Sequence, residues 1–342
     1  MDSYGELYGV LHKLNPLSDS HWPCIISFCV GLIVLIRMYM GGAICPSDDR
    51  IDDAVVIITG ASSGIGKEIA LELARRGGHI ILAVKDVAAG EKVARQIRDI
   101  SGRDAEVKAI DLSSLKNVQS FVEQLETRKV DILVNNAGIV FHPFEKTAEG
   151  FEMHFVTNYL GHFLLTQLLL PKLCAAGQSK IINVSSQAHI ISAIHLEDLN
   201  LEKDFTAREA FGQSKLALIL MARHMSKLLT DTDVAINTVN PGIVRGTRHM
   251  RYSPLNSTFL IKLIMQPWMW LFLKNAVQGA QTAVYVAVSR ELEKHSGKYF
   301  SDCQMYTPSV NAVDDTMAEK LYTKSLILIK PYVRKSLINH EE

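Results

Sequence analysis

The segment TGASSGIG, Thr59 to Gly66, constrains the fold most, because it lies between an apolar strand and an amphipathic helix. Its three glycines, Gly60, Gly64 and Gly66, permit a tight turn and a close approach of the backbone to a pyrophosphate. The N-terminus of the following helix offers unpaired N–H groups and the positive end of the helix dipole. Glycines can also end a strand for steric reasons, but this placement favours a dinucleotide-binding turn.

The chain after Ala54 alternates short apolar segments with amphipathic ones. This pattern predicts one α/β domain, a doubly wound parallel sheet with helices on both faces. The predicted strands are AVVIITG, HIILAV, AEVKAIDL, VDILVNNAG, KIINVSS, VAINTVNPG and GKYF. The predicted helices are GKEIALELARRGG, VAAGEKVARQIRDI, FVTNYLGHFLLTQLLLPKL and AFGQSKLALILMARHMSKLL. Near the C-terminus, LYTKSLILIK is mildly amphipathic, and packing against the domain is favoured over a membrane contact.

An apolar segment precedes this domain, from Trp22 to Cys45, with Arg37 as its only charge. As a helix it would be about 36 Å long, against a hydrocarbon core of about 30 Å. Arg37 can extend to the headgroups and so lengthen the span. The alternatives are a signal peptide, disfavoured by the late start, and a buried core helix, disfavoured because the following domain is complete without it.

We therefore predict an N-terminal region at 1–50 with a transmembrane anchor at about 22–45, a catalytic domain at 51–310 and a C-terminal tail helix at 311–342.

The charges beside the predicted anchor indicate its orientation. Arg37 and Arg50 follow the apolar run, whereas Asp2, Glu6 and Asp19 precede it. Because positive charge is retained on the cytoplasmic side, we predict a single-pass protein with a cytosolic catalytic domain. The endoplasmic reticulum is the expected membrane.

Overall charge and cysteine usage exclude two function classes. The 36 Lys and Arg residues balance 36 Asp and Glu residues, so no electrostatic feature indicates a nucleic-acid partner. No metal is predicted, because the five cysteines have no metal-ligand spacing, and free thiols in a reducing compartment are expected. These cysteines are Cys24, Cys29, Cys45, Cys174 and Cys303.

Further motifs follow the glycine turn in a fixed order: NNAG, Asn158 in TNYLGHF, Ser186 in NVSS, then Lys215, then NPGIV. With this order the chain resembles the short-chain dehydrogenase/reductase family from about Ala54 to Cys303, which implies a Rossmann-type fold. The segments RMYMGGAIC, NYLGHFLLT, NVSSQAH and SGKYFSDC are similar to the membrane-bound retinol dehydrogenase branch. The resemblance implies hydride transfer between a nicotinamide and a carbonyl or alcohol carbon. A homodimer through the long helices and a monomer both stay open.

Cofactor preference depends on the end of the second strand, where NAD-binding proteins place a carboxylate for the ribose and NADP-binding proteins a cation. Here Val84 occupies that position and Lys85 follows, although Asp86 weakens the signal. NADP(H) is therefore favoured, with NAD(H) left open. By resemblance the cofactor would be held by Thr59, Gly60, Ser62, Ser63, Gly64, Ile65, Gly66, Lys85, Asp111, Asn135, Ala137, Gly138, Lys215, Pro241, Gly242 and Val244.

The resemblance also assigns the catalytic positions. Ser186 would hydrogen-bond the substrate oxygen, Lys215 would hold the nicotinamide ribose, and Asn158 would position a water that links Lys215 to solvent. The family's proton donor is a tyrosine one turn before that lysine, and this chain has Phe211 there. A benzene ring transfers no proton, and general acid–base catalysis is typically worth about 10²–10⁴-fold. Tyr159 is expected to be structural.

Two functions remain. The first is an NADP(H)-dependent oxidoreductase of retinol dehydrogenase type, impaired by Phe211, that acts on a lipophilic alcohol or carbonyl such as a retinoid. The second is a catalytically inactive protein that binds a dinucleotide or a lipid. Ser214 offers no substitute hydroxyl, because it lies nearly one turn away and points elsewhere. A scaffold without cofactor is disfavoured because the glycine turn is intact.

The substrate class is inferred from Ser257 to Lys274, which by resemblance follows the nicotinamide loop as a substrate lid. The segment is rich in apolar residues, and Trp268 and Trp270 suit a helix at a membrane interface, although packing explains part of it. A lid in the membrane would admit a retinoid, sterol or fatty aldehyde. Gly246 is inserted before Thr247, so the entry to the lid is expected to differ from that of the branch.

Overall fold

The computed structural model describes residues 21–245 and 259–333, with 259–265 described by their backbone only. The helices are α1 (Trp22–Met40), α2 (Gly64–Arg75), α3 (Val87–Ser101), α4 (Leu115–Glu123), α5 (Gly161–Cys174), α6 (Ala207–Leu228), α7 (Phe259–Phe272), α8 (Ala276–Val288) and α9 (Asp315–Ile329). The strands are β1 (Val55–Thr59), β2 (His79–Val84), β3 (Glu106–Ala109), β4 (Ile132–Asn135), β5 (Ser179–Val184), β6 (Val234–Asn240), β7 (Tyr299–Ser301) and β8 (Gln304–Tyr306). A π-helix, Phe155–Leu160, precedes α5, and 3-10 helices span Gln187–Ile191, Arg290–Leu292, Val310–Val313 and Lys330–Tyr332.

Some sequence predictions lie outside the described residues: the first 20 residues of the N-terminal region, Gly246 and Thr247 at the lid entry, Ser257 and Thr258 at the start of the lid, and 334–342 of the tail.

The strands form one sheet in the order β3-β2-β1-β4-β5-β6-β7-β8. Every pair is parallel except β7 with β8. The order reverses between β1 and β4, and this switch point is where open α/β sheets bind ligands. The predicted doubly wound parallel sheet is confirmed.

Helices cover both faces of the sheet because successive strand residues point to opposite sides. In β1, Ile57 belongs to the same buried cluster as residues of α4, α5, α6 and α9, whereas Val56 and Ile58 belong to the cluster that contains residues of α2, α3 and α8. All three side chains are fully buried. The near-continuous apolar strands of the sequence are therefore the middle layer of a three-layer sandwich.

The structure adds elements that the sequence pattern did not predict. Strand β8 is antiparallel to β7, and the turn between them consists of Asp302 and Cys303, both with positive φ (48° and 56°). Such turns usually contain Asn-Gly or Asp-Gly, so the usual hairpin signal was absent. Helices α4 and α8 were not predicted either.

The long apolar helix predicted from Phe155 is two elements, the π-helix and then α5, which begins at Gly161. A Cβ at Gly161 would lie 2.5 Å from the carbonyl oxygen of Leu112, so the chain passes very close to a neighbouring loop there. The predicted helical content is correct, but the wide turn at its start, which contains Asn158, has no signature in the hydrophobic pattern.

The C-terminal helix α9 packs against the domain. Leu321, Ser325 and Ile329 are fully buried on one face, and the Tyr159 hydroxyl lies 2.8 Å from Ser325 Oγ. The Ser325 hydroxyl in turn donates to the carbonyl of Leu321. Tyr159 is therefore a core residue joined to the tail.

Helix α1 is long and apolar enough to cross a membrane, with a mean hydropathy of 2.1 and no buried residue. Arg37, which we expect to extend towards headgroups, makes contacts within the protein that the sequence did not predict. Its guanidinium donates to the carbonyl of Leu273 at 3.2 Å and to Gln278 Oε1 at 2.7 Å, and it lies 5.8 Å from the centroid of the Trp270 ring. The side chain is half-buried against α7 and α8 because these acceptors fix it there.

We expect Gly212→Ala to lower the free energy of unfolding by about 1–3 kcal/mol, because overpacking costs that much. A Cβ there would overlap Ser192 Oγ and lie 2.9 Å from the carbonyl oxygen of Ala188. Thermal unfolding in detergent measures the loss. Gly31→Ala is the control, because nothing lies within 4 Å of a Cβ at that position. If both variants lost the same free energy of unfolding, the close approach of α6 to the 3-10 helix Gln187–Ile191 would be contradicted.

Candidate active site

The glycine turn is fixed against the strand beside it. A Cβ at Gly60, where φ is +66°, would lie 2.9 Å from Ala137 Cα, so β1 and β4 approach too closely for any other residue. A Cβ at Gly66 would lie 2.7 Å from the carbonyl oxygen of Gly60. The Thr59 hydroxyl accepts from the backbone N–H groups of Asn136 (2.9 Å) and Ala137 (3.0 Å). The turn and the NNAG segment therefore form one rigid unit.

A buried histidine, His162, connects this unit to the π-helix. Burial lowers its pKa to about 3, so the ring is neutral. Nδ1–H donates to the carbonyl of Asn158 at 2.9 Å, and Nε2 accepts from the Thr59 hydroxyl at 2.8 Å. Sequence reasoning did not single out His162, although the polar residue within the apolar run LGHFLLT was a visible signal.

A cleft of about 390 Å³ opens at the carboxyl ends of the strands, beside the switch point. Seven of the predicted cofactor residues line it: Gly60, Ser62, Ser63, Lys85, Asp111, Ala137 and Gly138. Sequence reasoning missed other lining residues, among them Ser113, Ile139, Val140, Met153 and Thr157.

The cleft has properties that fit a dinucleotide. Ser63, the N-cap of α2, makes no capping hydrogen bond through its side chain, and the first turn of α2 has no acidic residue. The N–H groups of that turn are thus left for an anionic ligand. The hydroxyl of Thr157 is buried at the cleft without a hydrogen-bond partner among the described residues. An unsatisfied hydroxyl and an uncapped helix end fit a polar, anionic ligand.

One end of the cleft carries a cation. Lys85 Nζ lies 2.7 Å from Asp111 Oδ2, and the Lys85 side chain is 71% exposed. Burial raises the pKa of Asp111, but hydrogen bonds from Lys85 and Ser113 outweigh it, so the pKa is lowered and the carboxyl is ionised. Asp86, which weakened the sequence signal, accepts from the N–H of Ala89 at 3.0 Å as the cap of α3.

Lys215 lies at the other side of the site. Its side chain is buried, and Nζ donates to the carbonyl of Val184 at 2.8 Å. Burial lowers the pKa of Lys215 to about 8. The Phe211 ring centroid is 5.9 Å from Nζ, so the ring occupies the position one turn before the lysine, as the sequence requires.

Asn158 connects Lys215 to the loop after β4. Its amide donates to the carbonyl of Ile139 at 3.1 Å and to Ser214 Oγ at 2.9 Å, and it accepts from the N–H of Ile139 at 2.8 Å. A Cβ at Gly138 would lie 3.0 Å from Asn158 Oδ1 and 3.4 Å from Lys215 Nζ. Gly138, Asn158 and Lys215 therefore meet at one point.

The two serines after β5 have different surroundings. The Ser185 hydroxyl is buried and donates to the carbonyl of Lys215 at 2.8 Å. Ser186 is half-buried, and its hydroxyl accepts from the N–H of Ala188 at 3.3 Å at the start of the 3-10 helix. Of the two, Ser186 has the hydroxyl that a ligand can reach.

Several other described hydroxyl groups are unsuited to replace a tyrosine at position 211. Ser214 donates to the carbonyl of Phe211 at 2.7 Å, and the Tyr159 hydroxyl pairs with Ser325. Burial raises the pKa of Tyr299 to about 12, which makes it a poor acid. In the described part of the chain we find no hydroxyl that replaces the tyrosine.

The other nine predicted cofactor residues do not line the cleft, and the side chains of two of them, Asn135 and Ile65, pack inside the fold. Asn135 is fully buried, and its amide donates to Thr166 Oγ1 (3.1 Å) and Asn183 Oδ1 (2.9 Å), so it joins β4 to its neighbours. The side chain of Ile65 faces Gly279 of α8, where a Cβ would lie 3.4 Å from Ile65 Cγ1.

The predicted nicotinamide loop follows β6. Pro241 is buried, Gly242 has φ +75°, and Val244 pairs with Lys274 in an isolated parallel bridge.

Known proteins share this arrangement. The short chain dehydrogenase family model matches residues 54–256. The chain is 41% identical over 309 residues to retinol dehydrogenase 13 of Mus musculus, a match that covers 89% of this chain and 92% of that protein. It is 40% identical over 306 residues to retinol dehydrogenase 12 of Homo sapiens, covering 89% of this chain and 95% of that protein.

Solved structures have a similar fold. An uncharacterised protein from Mycobacterium paratuberculosis superposes with a TM-score of 0.68 at 32% identity, covering 84% of this chain and 98% of that one. A short chain dehydrogenase from Shigella flexneri solved with NADP shares the fold, with a TM-score of 0.59 at 22% identity over 75% of this chain and all of that one. With the glycine turn, the parallel sheet and the Asn158–Lys215 junction in place, these matches show that the chain belongs to the short-chain dehydrogenase family, in its retinol dehydrogenase branch.

Proposed function

We propose that the protein binds NADP(H) and transfers hydride slowly between it and a lipophilic carbonyl or alcohol, such as a retinoid. The observation that carries the proposal is the Phe211 ring beside Lys215 in a site that otherwise retains the family's residues. The relatives with 40% identity or more named above are retinol dehydrogenases, which supports the retinoid class.

The preference for NADP(H) is supported by the charges at the ribose end of the cleft. Lys85 is the cation there, and its partner Asp111 keeps it at the mouth of the cleft. Asp86 also lines the cleft, and its carboxylate accepts from the N–H of Ala89 as the cap of α3, so its negative charge opposes part of the attraction of Lys85 for a 2′-phosphate. A lysine offers a point charge rather than a bidentate fork, so the preference for NADP(H) over NAD(H) is modest.

The protein's part in the reaction follows from the side chains around Lys215. The bound cofactor supplies or accepts the hydride. Ser186 would hold the substrate oxygen, Lys215 would hold the nicotinamide ribose, and Asn158 would position a water that links Lys215 to solvent. Phe211 presents an apolar edge where the alkoxide develops, so the proton must come from solvent. This loss accounts for the slow transfer.

A second candidate is a cofactor-binding protein without turnover. The hydroxyl groups of Ser185, Ser214 and Tyr159 all have partners within the fold, which favours this candidate. The presence of Lys215 does not discriminate between the two candidate functions, because both would use this lysine to bind the ribose of the cofactor.

Membrane attachment is supported by two neighbouring helices. Helix α1 is apolar and exposed along its length, and α7 packs against it. Trp268 and Trp270 of α7 are 58% and 45% exposed, and Arg37 at the end of α1 lies over Trp270. Since Arg37 ends the apolar span, α7 would lie at the cytosolic interface, as expected in the endoplasmic reticulum membrane, and would admit a substrate from the bilayer.

We expect Phe211→Tyr to increase retinaldehyde reduction by NADPH in detergent by about 10²–10⁴-fold, because it restores the proton donor. Product chromatography measures the rate, and Lys215→Ala is the control that sets the background. If the natural protein already reduces retinaldehyde far faster than that background, and Phe211→Tyr does not change the rate, another group supplies the proton. Turnover by the variant alone would establish the second candidate.

We expect Lys85→Asp to weaken NADPH binding about tenfold, because a charge-assisted hydrogen bond to the 2′-phosphate is lost and repulsion replaces it. Binding of NADH should not weaken. Calorimetric titration of the full-length protein gives both constants, with the exposed Lys92→Asp as a control of equal charge change. Equal weakening by both variants would contradict a specific contact at Lys85.

The three tryptophans allow a direct test of the membrane contact, because they are Trp22 in α1 and Trp268 and Trp270 in α7. In Trp22→Phe all tryptophan fluorescence comes from α7. We expect brominated lipids in nanodiscs to quench it strongly and aqueous iodide to quench it weakly. Strong quenching by iodide alone would place α7 outside the bilayer.

A further inference from the structure

The segment between the anchor and β1, residues 41–49, which we call the strap, lies against the domain instead of forming a free linker. The N–H of Cys45 donates to Gln281 Oε1 of α8 at 3.0 Å. Arg76 donates to the carbonyls of Ser47 (2.6 Å) and Asp49 (3.1 Å). These hydrogen bonds hold the second half of the strap against the domain.

The start of the strap has no room for any side chain. Gly42 has φ +71°, and a Cβ there would overlap Asp302 Oδ1 and Lys274 Nζ. These two groups form an ion pair, and Lys274 is buried. Gly42 therefore covers an ion pair in which Lys274 is buried and Asp302 is partly exposed, and its positive φ favours glycine at this position.

The other side of Lys274 contacts the predicted nicotinamide loop. Its Cδ and Cε atoms lie 3.2 Å from where a Cβ of Gly242 would be. Its N–H donates to the carbonyl of Ile243 at 3.0 Å, and its carbonyl accepts from the N–H of Arg245 at 2.9 Å. The Lys274 side chain is thus packed between the strap and the loop at 241–245.

A second route joins the anchor to the same loop. Arg37 donates to Gln278, which is in the first turn of α8 and forms a capping box with Asn275. The next residue, Gly279, packs against Val244, and a Cβ there would lie 2.6 Å from Val244 Cγ2. Movement of the anchor end of α8 would therefore displace Val244 directly.

We propose that Arg37 and the strap are positioning residues for the loop at 241–245, so that binding of the nicotinamide half of the cofactor depends on the docked anchor. The inference rests on the proposed cofactor site, in which this loop holds the nicotinamide carboxamide. One route passes through Lys274 and the other through α8, and both end at the loop. The adenosine half of the site, at Lys85 and Asp111, shares neither route.

The test compares two ligands on the full-length protein in nanodiscs. NADPH occupies both halves of the site, whereas adenosine 2′,5′-bisphosphate occupies the adenosine half only. We expect Gly42→Ala to weaken NADPH about tenfold, because the left-handed conformation and the overlap displace Lys274, and to leave the bisphosphate unchanged. Arg37→Met, a change remote from the loop, should also weaken NADPH binding and leave bisphosphate binding unchanged. Gly31→Ala is the matched control.

Hydrogen exchange of the cofactor-free proteins gives a second readout. We expect faster exchange in the peptide that covers 241–245 in Gly42→Ala and Arg37→Met, and no change in Gly31→Ala. Unchanged NADPH binding in both variants, or equal weakening of both ligands, would overturn the inference while the proposed function stands. A natural protein that binds neither ligand would overturn the proposed function and this inference with it.

Discussion

The hydroxyl of Thr59 joins the parts of the fold on which the site depends. It accepts two N–H groups from the NNAG segment and donates to the neutral ring of His162, which donates in turn to the carbonyl of Asn158. Because burial keeps the imidazole uncharged, this connection is a fixed hydrogen-bond chain and not a titrating one. The glycine turn, the loop after β4 and the π-helix are therefore placed relative to each other before any ligand binds.

This framework explains how the site can retain one function and lose another. Lys215 is held by the carbonyl of Val184 and reaches the junction with Gly138 and Asn158 whatever residue stands at 211. Under the proposed function, Phe211 stands where the family has its tyrosine, and the contacts of Lys215 do not involve the missing hydroxyl. The change would remove an oxygen atom and the proton it carries, and would leave the groups proposed to bind a nucleotide in position. Cofactor binding and proton transfer would then be separable in this fold.

The sequence allowed prediction of those features that depend on local pattern. The parallel sheet follows from strand and helix periodicity, and the meeting of Asn158 with Lys215 follows from motif order. The β7–β8 hairpin had no turn signal, because its positive-φ residues are Asp302 and Cys303. The protein contacts of Arg37 were not predicted because a charge at the end of an apolar run is usually solvated, and its acceptors at Leu273 and Gln278 are more than 200 residues away. Asn135 belongs to the NNAG motif, but its side chain hydrogen-bonds to Asn183 within the sheet, and only the pairing of the strands in the folded protein shows this.

The decisive measurement is the fate of NADPH bound to the natural full-length protein after retinaldehyde is added, followed through the fluorescence of the reduced cofactor. If the cofactor site is intact and the proton comes from solvent, NADPH binds, its fluorescence decays slowly, and the decay accelerates as the pH is lowered. Fast decay that is independent of pH would show that the protein contains its own proton donor. Failure of NADPH to bind would contradict the intact cofactor site.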